Sequence, residues 1–79
     1  MKVKVKFYAD LKERYAPHNA DGTLELQLKD QSTIQDVFKE LRIDDREIGF
    51  IILNDKKVQR EASLSDGDAI QIFAFVAGG

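Results

Sequence analysis

Alternating hydrophobic and polar residues at the start of the chain predict two β-strands. In "MKVKVKF", Val3, Val5 and Phe7 share one face and lysines occupy the positions between them. The stretch "TLELQL" repeats this period of two, with its three leucines on the inward face. If the two strands pair, Glu25 can lie near one of the N-terminal lysines.

One long helix and one short helix are predicted from periodicity. The long helix carries an apolar stripe at i, i+3, i+4 and i+7, formed by Ile34, Val37, Phe38 and Leu41. Ser32 with Gln35 fits a capping box at its start. In "DLKERY", Leu11 and Tyr15 are four residues apart, which favours one or two helical turns that Pro17 would end.

The remaining pattern completes an α+β fold. "FIILNDKKV" is typical of a hairpin with a turn at Asn54-Asp55, and "LSDGDAIQIFAFV" of a turn followed by a final strand that runs to Val76. The order β, β, α, β, β, β favours a β-grasp, the ubiquitin-like arrangement. Its mixed sheet has five strands, with one main helix on one face and the first and last strands parallel in the centre. Residues 1–79 are predicted to form a single domain, within which 76–79 are a flexible C-terminal tail.

Two of the predicted strands are apolar on both faces, although a sheet covered by one helix needs only one apolar face. Ile51 and Leu53 alternate with aromatic and aliphatic residues, and Ile70 and Ile72 do the same in the last strand. These strands are neighbours in a β-grasp, so their outward residues should form an exposed patch that docks a partner protein: Phe50, Ile52, Phe73 and Phe75. The alternative is that "DLKERY" or the loop after it covers the patch.

Composition removes several classes of function. The absence of cysteine excludes a disulfide framework and a thiol nucleophile in this chain. Twelve basic and 14 acidic residues give a net charge of −2. The chain therefore lacks the excess of positive charge that binds nucleic acid or an anionic membrane, and neither partner is expected. The N-terminus has no continuous apolar stretch, and no segment approaches the ~20 apolar residues of a membrane span. A cytoplasmic protein is therefore expected.

No internal group of residues suggests catalysis or metal binding. His18 stands in the loop "APHNADG" without a second histidine or a cysteine nearby, which is typical of a solvated residue. Asp66 and Asp68 in "SDGD" lack the further oxygen ligands of a calcium loop and predict a turn. Ser32 is expected to be a helix cap, not a nucleophile.

The C-terminal tail offers the remaining reactive group. Val76, Ala77, Gly78 and Gly79 have compact side chains or none, so such a tail can enter a narrow channel in another protein. Without a Cβ on Gly79, the carboxyl carbon is open to attack. The alternative is a frayed terminus without a role.

The segments "LNDKKV", "LSDGDAIQIF" and "VAGG" resemble the MoaD/ThiS family of ubiquitin-like sulfur carriers, and most closely the small subunit of molybdopterin synthase. "FYADLKERY" is also more similar to the molybdopterin type, in which a short helix follows the first strand, whereas the thiazole carriers tend to be shorter there. The molybdopterin type often has proline just before its terminal motif, where Ala74 and Phe75 stand in this chain. The pathway therefore stays open.

This resemblance implies a non-catalytic carrier whose C-terminal carboxylate is its working group. Gly79 would be adenylated by an E1-like partner and then converted to a thiocarboxylate, with Gly78 as a slender neighbour. ATP and magnesium would belong to that partner, and the carrier would bind no cofactor or metal. A larger catalytic subunit of molybdopterin synthase would receive the tail, in a heterotetramer. The alternatives are a carrier for thiamin thiazole or another thio-product, a ubiquitin-like modifier conjugated through Gly79, and an interaction domain whose tail has no role.

Overall fold

The computed structural model describes residues 1–75, so the predicted tail at residues 76–79 lies outside the described residues. Within them the chain forms five strands, two α-helices and one 3₁₀ turn. The elements are β1 (Lys2–Phe7), α1 (Ala9–Tyr15), β2 (Thr23–Gln27), α2 (Ile34–Leu41), the 3₁₀ turn (Asp45–Glu47), β3 (Ile48–Leu53), β4 (Lys56–Val58) and β5 (Ala69–Ala74). No helix among residues 1–75 is long and apolar enough to cross a membrane.

The five strands form one mixed sheet in the order β2-β1-β5-β3-β4. β1 and β5 run parallel in the centre, and the other neighbouring pairs are antiparallel. Lys4 pairs with Glu25 across β1 and β2, as the two alternating patterns indicated. The predicted α+β class and β-grasp arrangement are confirmed.

The core lies between one face of this sheet and α2. Val3, Val5 and Phe7 of β1 are at most 1% exposed, because the period-two pattern turns all three side chains to the same side. They form one cluster with buried residues of β5, β3 and α2: Ile70, Ile72, Ile51, Ile34, Val37 and Phe38. Leu41, the last residue of the predicted stripe, is half-buried at the end of the helix.

The N-terminal cap of α2 differs from the prediction by one residue. Thr33, not Ser32, is the cap, and Asp36 takes the place predicted for Gln35. The Thr33 backbone N–H donates to the Asp36 carboxylate at 2.8 Å. Ser32 is buried, and its hydroxyl donates to the Lys29 carbonyl at 2.7 Å, so it stabilises the turn before the helix.

Replacing Asp36 with alanine should lower the free energy of unfolding by about 1 kcal/mol, because the Thr33 N–H loses its acceptor. In a domain of this size, that loss lowers the melting temperature by roughly 4–8 °C. The matched control is Gln35→Ala, which removes the side chain that the sequence pattern placed in the capping box. Thermal unfolding followed by circular dichroism measures both variants, and equal melting temperatures for the two would contradict the assignment.

Candidate docking face and the base of the C-terminal segment

Three aromatic rings stack on the sheet face opposite α2, which is called the open face below. The Tyr8 and Phe73 ring centroids are 4.6 Å apart with an interplanar angle of 8°. Phe50 and Phe73 are also 4.6 Å apart, at 11°. Because β5 lies between β1 and β3, Phe73 is the middle ring. Tyr8, Phe73 and Phe50 together are called the aromatic column.

A lysine ammonium group lies over each end of the aromatic column. Lys6 Nζ is 5.2 Å from the centroid of the Tyr8 ring, and Lys57 Nζ is 5.8 Å from the centroid of the Phe50 ring. Both distances are within the range of cation–π attraction. The aromatic column and the two lysines together therefore extend across the open face from β1 to β4.

Three residues of the predicted patch lie together on the open face, and the fourth lies apart from them. Phe50 and Phe73 are opposite each other in β3 and β5, and Ile52 is the next outward residue of β3. Phe50 is 40% exposed, whereas Ile52 and Phe73 are half-buried. Phe75 is 63% exposed and lies beyond the end of β5. It lines a surface depression of about 330 Å³ with residues of α1 and the 3₁₀ turn.

The segment "DLKERY" does not cover the column, but the residue just before helix α1 takes part in it. Tyr8 covers one side of Phe73. Helix α1 itself turns Leu11 into the core, where this residue is 3% exposed, and Tyr15 packs against Phe7 at 5.4 Å between ring centroids. Phe50 and the edges of the rings therefore stay accessible to a partner.

The chain leaves the sheet at a β-bulge. Strand β5 ends at Ala74, so Phe75 is not part of the strand as predicted, and the predicted end at Val76 lies outside the described residues. The pairing of β3 with β5 shifts by one residue between Ile48 and Phe50. Gly49 is the extra residue, and an added Cβ there would lie 2.7 Å from the Ala74 carbonyl oxygen. The Phe75 N–H still donates to the Glu47 carbonyl at 2.9 Å. The base of the C-terminal segment is thus fixed up to Phe75.

The side chain of Glu47 ties this base to α1. It forms an ion pair with Arg14, and it accepts a hydrogen bond from the Tyr15 hydroxyl at 3.1 Å. The Tyr15 hydroxyl in turn accepts from the Asp44 N–H at 3.3 Å. Hydrogen bonds from Arg46 hold the pKa of the Asp44 carboxyl below its usual value. Helix α1 and the 3₁₀ turn therefore act as one support for Phe75.

The residues considered for metal binding are used in turns or exposed. The Asp66 carboxylate accepts from the Lys2 N–H at 2.7 Å, and Asp68 accepts from the Ser65 N–H at 2.7 Å, which confirms the predicted turn. His18 is exposed in its loop. Across the described part of the chain, no group of three or more His, Cys, Asp or Glu side chains is placed to hold a metal ion.

Comparison with protein families adds the decisive observation. The model of the ThiS family matches residues 5–79, which is nearly the whole chain. The chain belongs to the ThiS family. Members of this family are small ubiquitin-like sulfur-carrier proteins, so the resemblance inferred from the sequence is confirmed. No curated protein sequence matched this ThiS-family chain.

Solved structures share the fold of this ThiS-family protein. A candidate molybdopterin converting factor subunit 1 from Pyrococcus furiosus has a TM-score of 0.76 at 23% identity, covering 96% of this chain and 99% of that chain. SAMP1 from Haloferax volcanii has a TM-score of 0.76 at 18% identity, with full coverage of both chains. A complex of subunits 1 and 2 of the molybdopterin-converting factor from Helicobacter pylori 26695 gives 0.61 at 22% identity, again with full coverage. At these identities the likeness shows the fold alone.

Proposed function

We propose that this protein is the small, non-catalytic subunit of a molybdopterin synthase and carries sulfur on the carboxylate of Gly79. Residues Val76, Ala77, Gly78 and Gly79 lie outside the described residues, so their role rests on the sequence and on a family match that extends through Gly79. An E1-like enzyme in the cytoplasm supplies ATP and magnesium, and the carrier binds neither. The larger synthase subunit receives the loaded tail, in a heterotetramer.

The carboxylate must be activated because a free carboxylate is a poor electrophile. A carboxylate oxygen of Gly79 attacks the α-phosphate of ATP, and pyrophosphate leaves. A sulfide-level donor then attacks the acyl carbon of the adenylate, so that a C–S bond forms, the C–O bond to phosphate breaks and AMP leaves. The slender tail suits both steps, since each takes place inside the active site of another protein.

Helix α1 is the observation that favours the molybdopterin pathway over thiazole synthesis. In the resemblance given above, a short helix after the first strand is typical of the molybdopterin type. Residues Ala9–Tyr15 form that helix here, and its Arg14 and Tyr15 support the residue that holds Phe75 in place. The Helicobacter pylori relative is a complex of two subunits, which supports the proposed pairing with a larger subunit.

Mass spectrometry of the intact protein tests this proposal. After incubation with the E1-like enzyme of the same genome, ATP and a sulfur donor, Gly79 should exchange one oxygen for sulfur. The loaded protein, mixed with the large subunit and its pterin precursor, should then return to its original mass. An unchanged carrier with an enzyme shown to be active would contradict the carrier proposal. If Gly79 is loaded with sulfur but the sulfur is not transferred to the pterin, the acceptor would instead belong to the synthesis of a thiazole or another thio-product.

Conjugation to other proteins is the second candidate function. It is favoured by the likeness to SAMP1, the archaeal modifier, whose TM-score equals that of the Pyrococcus furiosus protein. Both functions begin with the same adenylate, so activation alone does not separate them. Purification under denaturing conditions does, because a modifier yields covalent adducts in which Gly79 forms isopeptide bonds with lysines.

Replacing Phe75 with lysine should weaken binding to the activating enzyme by about tenfold, because an exposed aromatic at an interface is replaced by a strongly hydrated cation. Phe75 is 63% exposed, so folding should be unaffected. The matched control is Gln31→Lys, which adds the same charge at an exposed position in the loop before α2. Titration calorimetry measures both variants, and equal affinities would show that Phe75 is not part of the docking surface.

A further inference from the structure

We propose that the open face docks on an acidic site of the activating enzyme, with carboxylates that meet Lys6 and Lys57 at the two ends of the aromatic column. This inference rests on the proposed function, because the partner is the adenylating enzyme named there. It adds the chemistry of the contact, which the carrier function itself does not specify. Three observations carry it: the charge of the face, the orientation of the rings and the spacing of the two lysines.

Charge is unevenly distributed over the molecule. The whole chain has more acidic than basic residues, with a net charge of −2. In contrast, the outward positions of the five strands carry four lysines against a single glutamate, Glu25. The face is therefore positive although the protein is acidic, and such a surface attracts a partner with carboxylates and speeds their encounter.

Two of the four lysines lie beside the aromatic column. The other two are farther back along β1, where Lys4 is opposite Glu25 of β2 and the Lys2 N–H donates to Asp66. Among residues 1–75, neither Lys6 nor Lys57 has a carboxylate within 4.0 Å. The hydrogen bond from the Thr23 N–H is the main cause of the lowered pKa of the Asp21 carboxyl, and the charge of Lys6 is a lesser cause. Both ammonium groups instead lie over rings of the column.

The stacking of the rings favours a protein over a nucleic acid as the negatively charged partner. The three rings stack face to face, and the two outer rings each have an ammonium group within about 6 Å of the ring centroid, so the edges of the stacked rings are the part left for a partner. The edge of an aromatic ring carries partial positive charge. Nucleic-acid binding on a sheet needs free ring faces on which bases stack, and Phe73 has another ring over each of its faces. Ring edges and ammonium groups together suit carboxylates, carbonyl oxygens and the faces of aromatic side chains in a protein.

The two lysines are held at a defined spacing. Lys6, Gln71, Ile52 and Lys57 occupy one row across β1, β5, β3 and β4, because each is the register partner of the next. Three strand spacings separate the backbones of Lys6 and Lys57 by roughly 14 Å. The aromatic column is the neighbouring outward row. The activating enzyme should accordingly present two acidic positions, one for each end of the aromatic column, beside an apolar strip that receives Ile52 and the ring edges.

Reversal of both charges tests the proposal. The double variant Lys6→Glu with Lys57→Glu should associate with the activating enzyme at least ~10-fold more slowly at low ionic strength, and the difference should shrink at high salt. The matched control, Lys29→Glu with Lys39→Glu, changes the net charge equally at two exposed positions, one in the loop before α2 and one in α2, and should associate at the wild-type rate. Stopped-flow measurement gives the rates. If the reversed variant does not fold, Lys6→Gln with Lys57→Gln should show the same direction with a smaller change.

A zero-length carbodiimide cross-linker tests the contact itself, because it joins an amine only to a carboxyl group that it touches. Mass spectrometry should find Lys6 and Lys57 linked to Asp or Glu of the enzyme in the wild-type complex. Equal association rates for the reversed and control variants would overturn the proposal, as would cross-links that leave out both lysines. Tight binding of a single-stranded oligothymidine that is lost in the reversed variant would also overturn it, in favour of nucleic acid.

ATP–pyrophosphate exchange on the wild-type carrier separates failure of this inference from failure of the proposed function. If the wild-type carrier is adenylated and the reversed variant associates as fast as the wild type, the docking proposal alone is overturned. A wild-type carrier that the active enzyme does not adenylate overturns the proposed function, and the docking proposal with it.

Discussion

A protein with one residue added after Gly79 is expected to fold and melt like the wild type but to form no detectable thiocarboxylate. The adenylate must form at the terminal carbon, and an added residue moves that carbon by the length of a residue within an enzyme site. A displacement of about 1 Å already costs a well-positioned reaction roughly 10²-fold, so the loss should exceed that value. Stability should be unchanged, because the described core and sheet end before residue 76.

Gly79→Ala is the matched control for this extension. It keeps the carboxylate at the same chain position and adds only a Cβ, so adenylation should fall much less than in the extended protein. Pyrophosphate exchange and intact-protein mass measure the two variants, and circular dichroism verifies their folding. Thiocarboxylate formation at the wild-type rate in the extended protein would remove Gly79 from the mechanism.

The inner face of the fold was predictable because it depends on local periodicity. Successive side chains of a strand point to opposite sides, so "VKVKF" alone places Val3, Val5 and Phe7 in the core. Element ends were less predictable. Ser32 and Thr33 are both good caps, and the choice between them depends on the turn that Ser32 makes with Lys29, which periodicity does not report.

The docking site was only partly predictable, because the residues that contact one another there are far apart in the sequence. Phe50 and Phe73 followed from two strands that are apolar on both faces. Tyr8 was missed, although it continues the outward period of Lys4 and Lys6 by one step past the end of β1. The bulge at Gly49 depends on how β3 meets the end of β5, and one glycine in "REIGF" carries no signal for that long-range fit.

Replacing Gly49 with alanine should damage both stability and activation. The added Cβ would lie 2.7 Å from the oxygen and 3.0 Å from the carbon of the Ala74 carbonyl, and 3.1 Å from the Phe75 Cα. All three atoms belong to the backbone, so no rotamer change relieves the overlap and the end of β5 must move. Such overpacking typically costs about 1–3 kcal/mol. The bond from the Phe75 N–H to the Glu47 carbonyl should weaken as the strand moves.

Gly67→Ala separates the two effects of the Gly49 change. Gly67 has φ of +87° and open space around an added Cβ, so alanine there costs about 1–2 kcal/mol through backbone strain without touching β5. Urea unfolding should show comparable losses of stability for the two variants. Only Gly49→Ala should lower the adenylation rate per folded molecule and speed hydrogen exchange at the Phe75 amide. If both variants are activated equally well, the bulge serves stability alone, and the position of Phe75 does not control delivery of the tail.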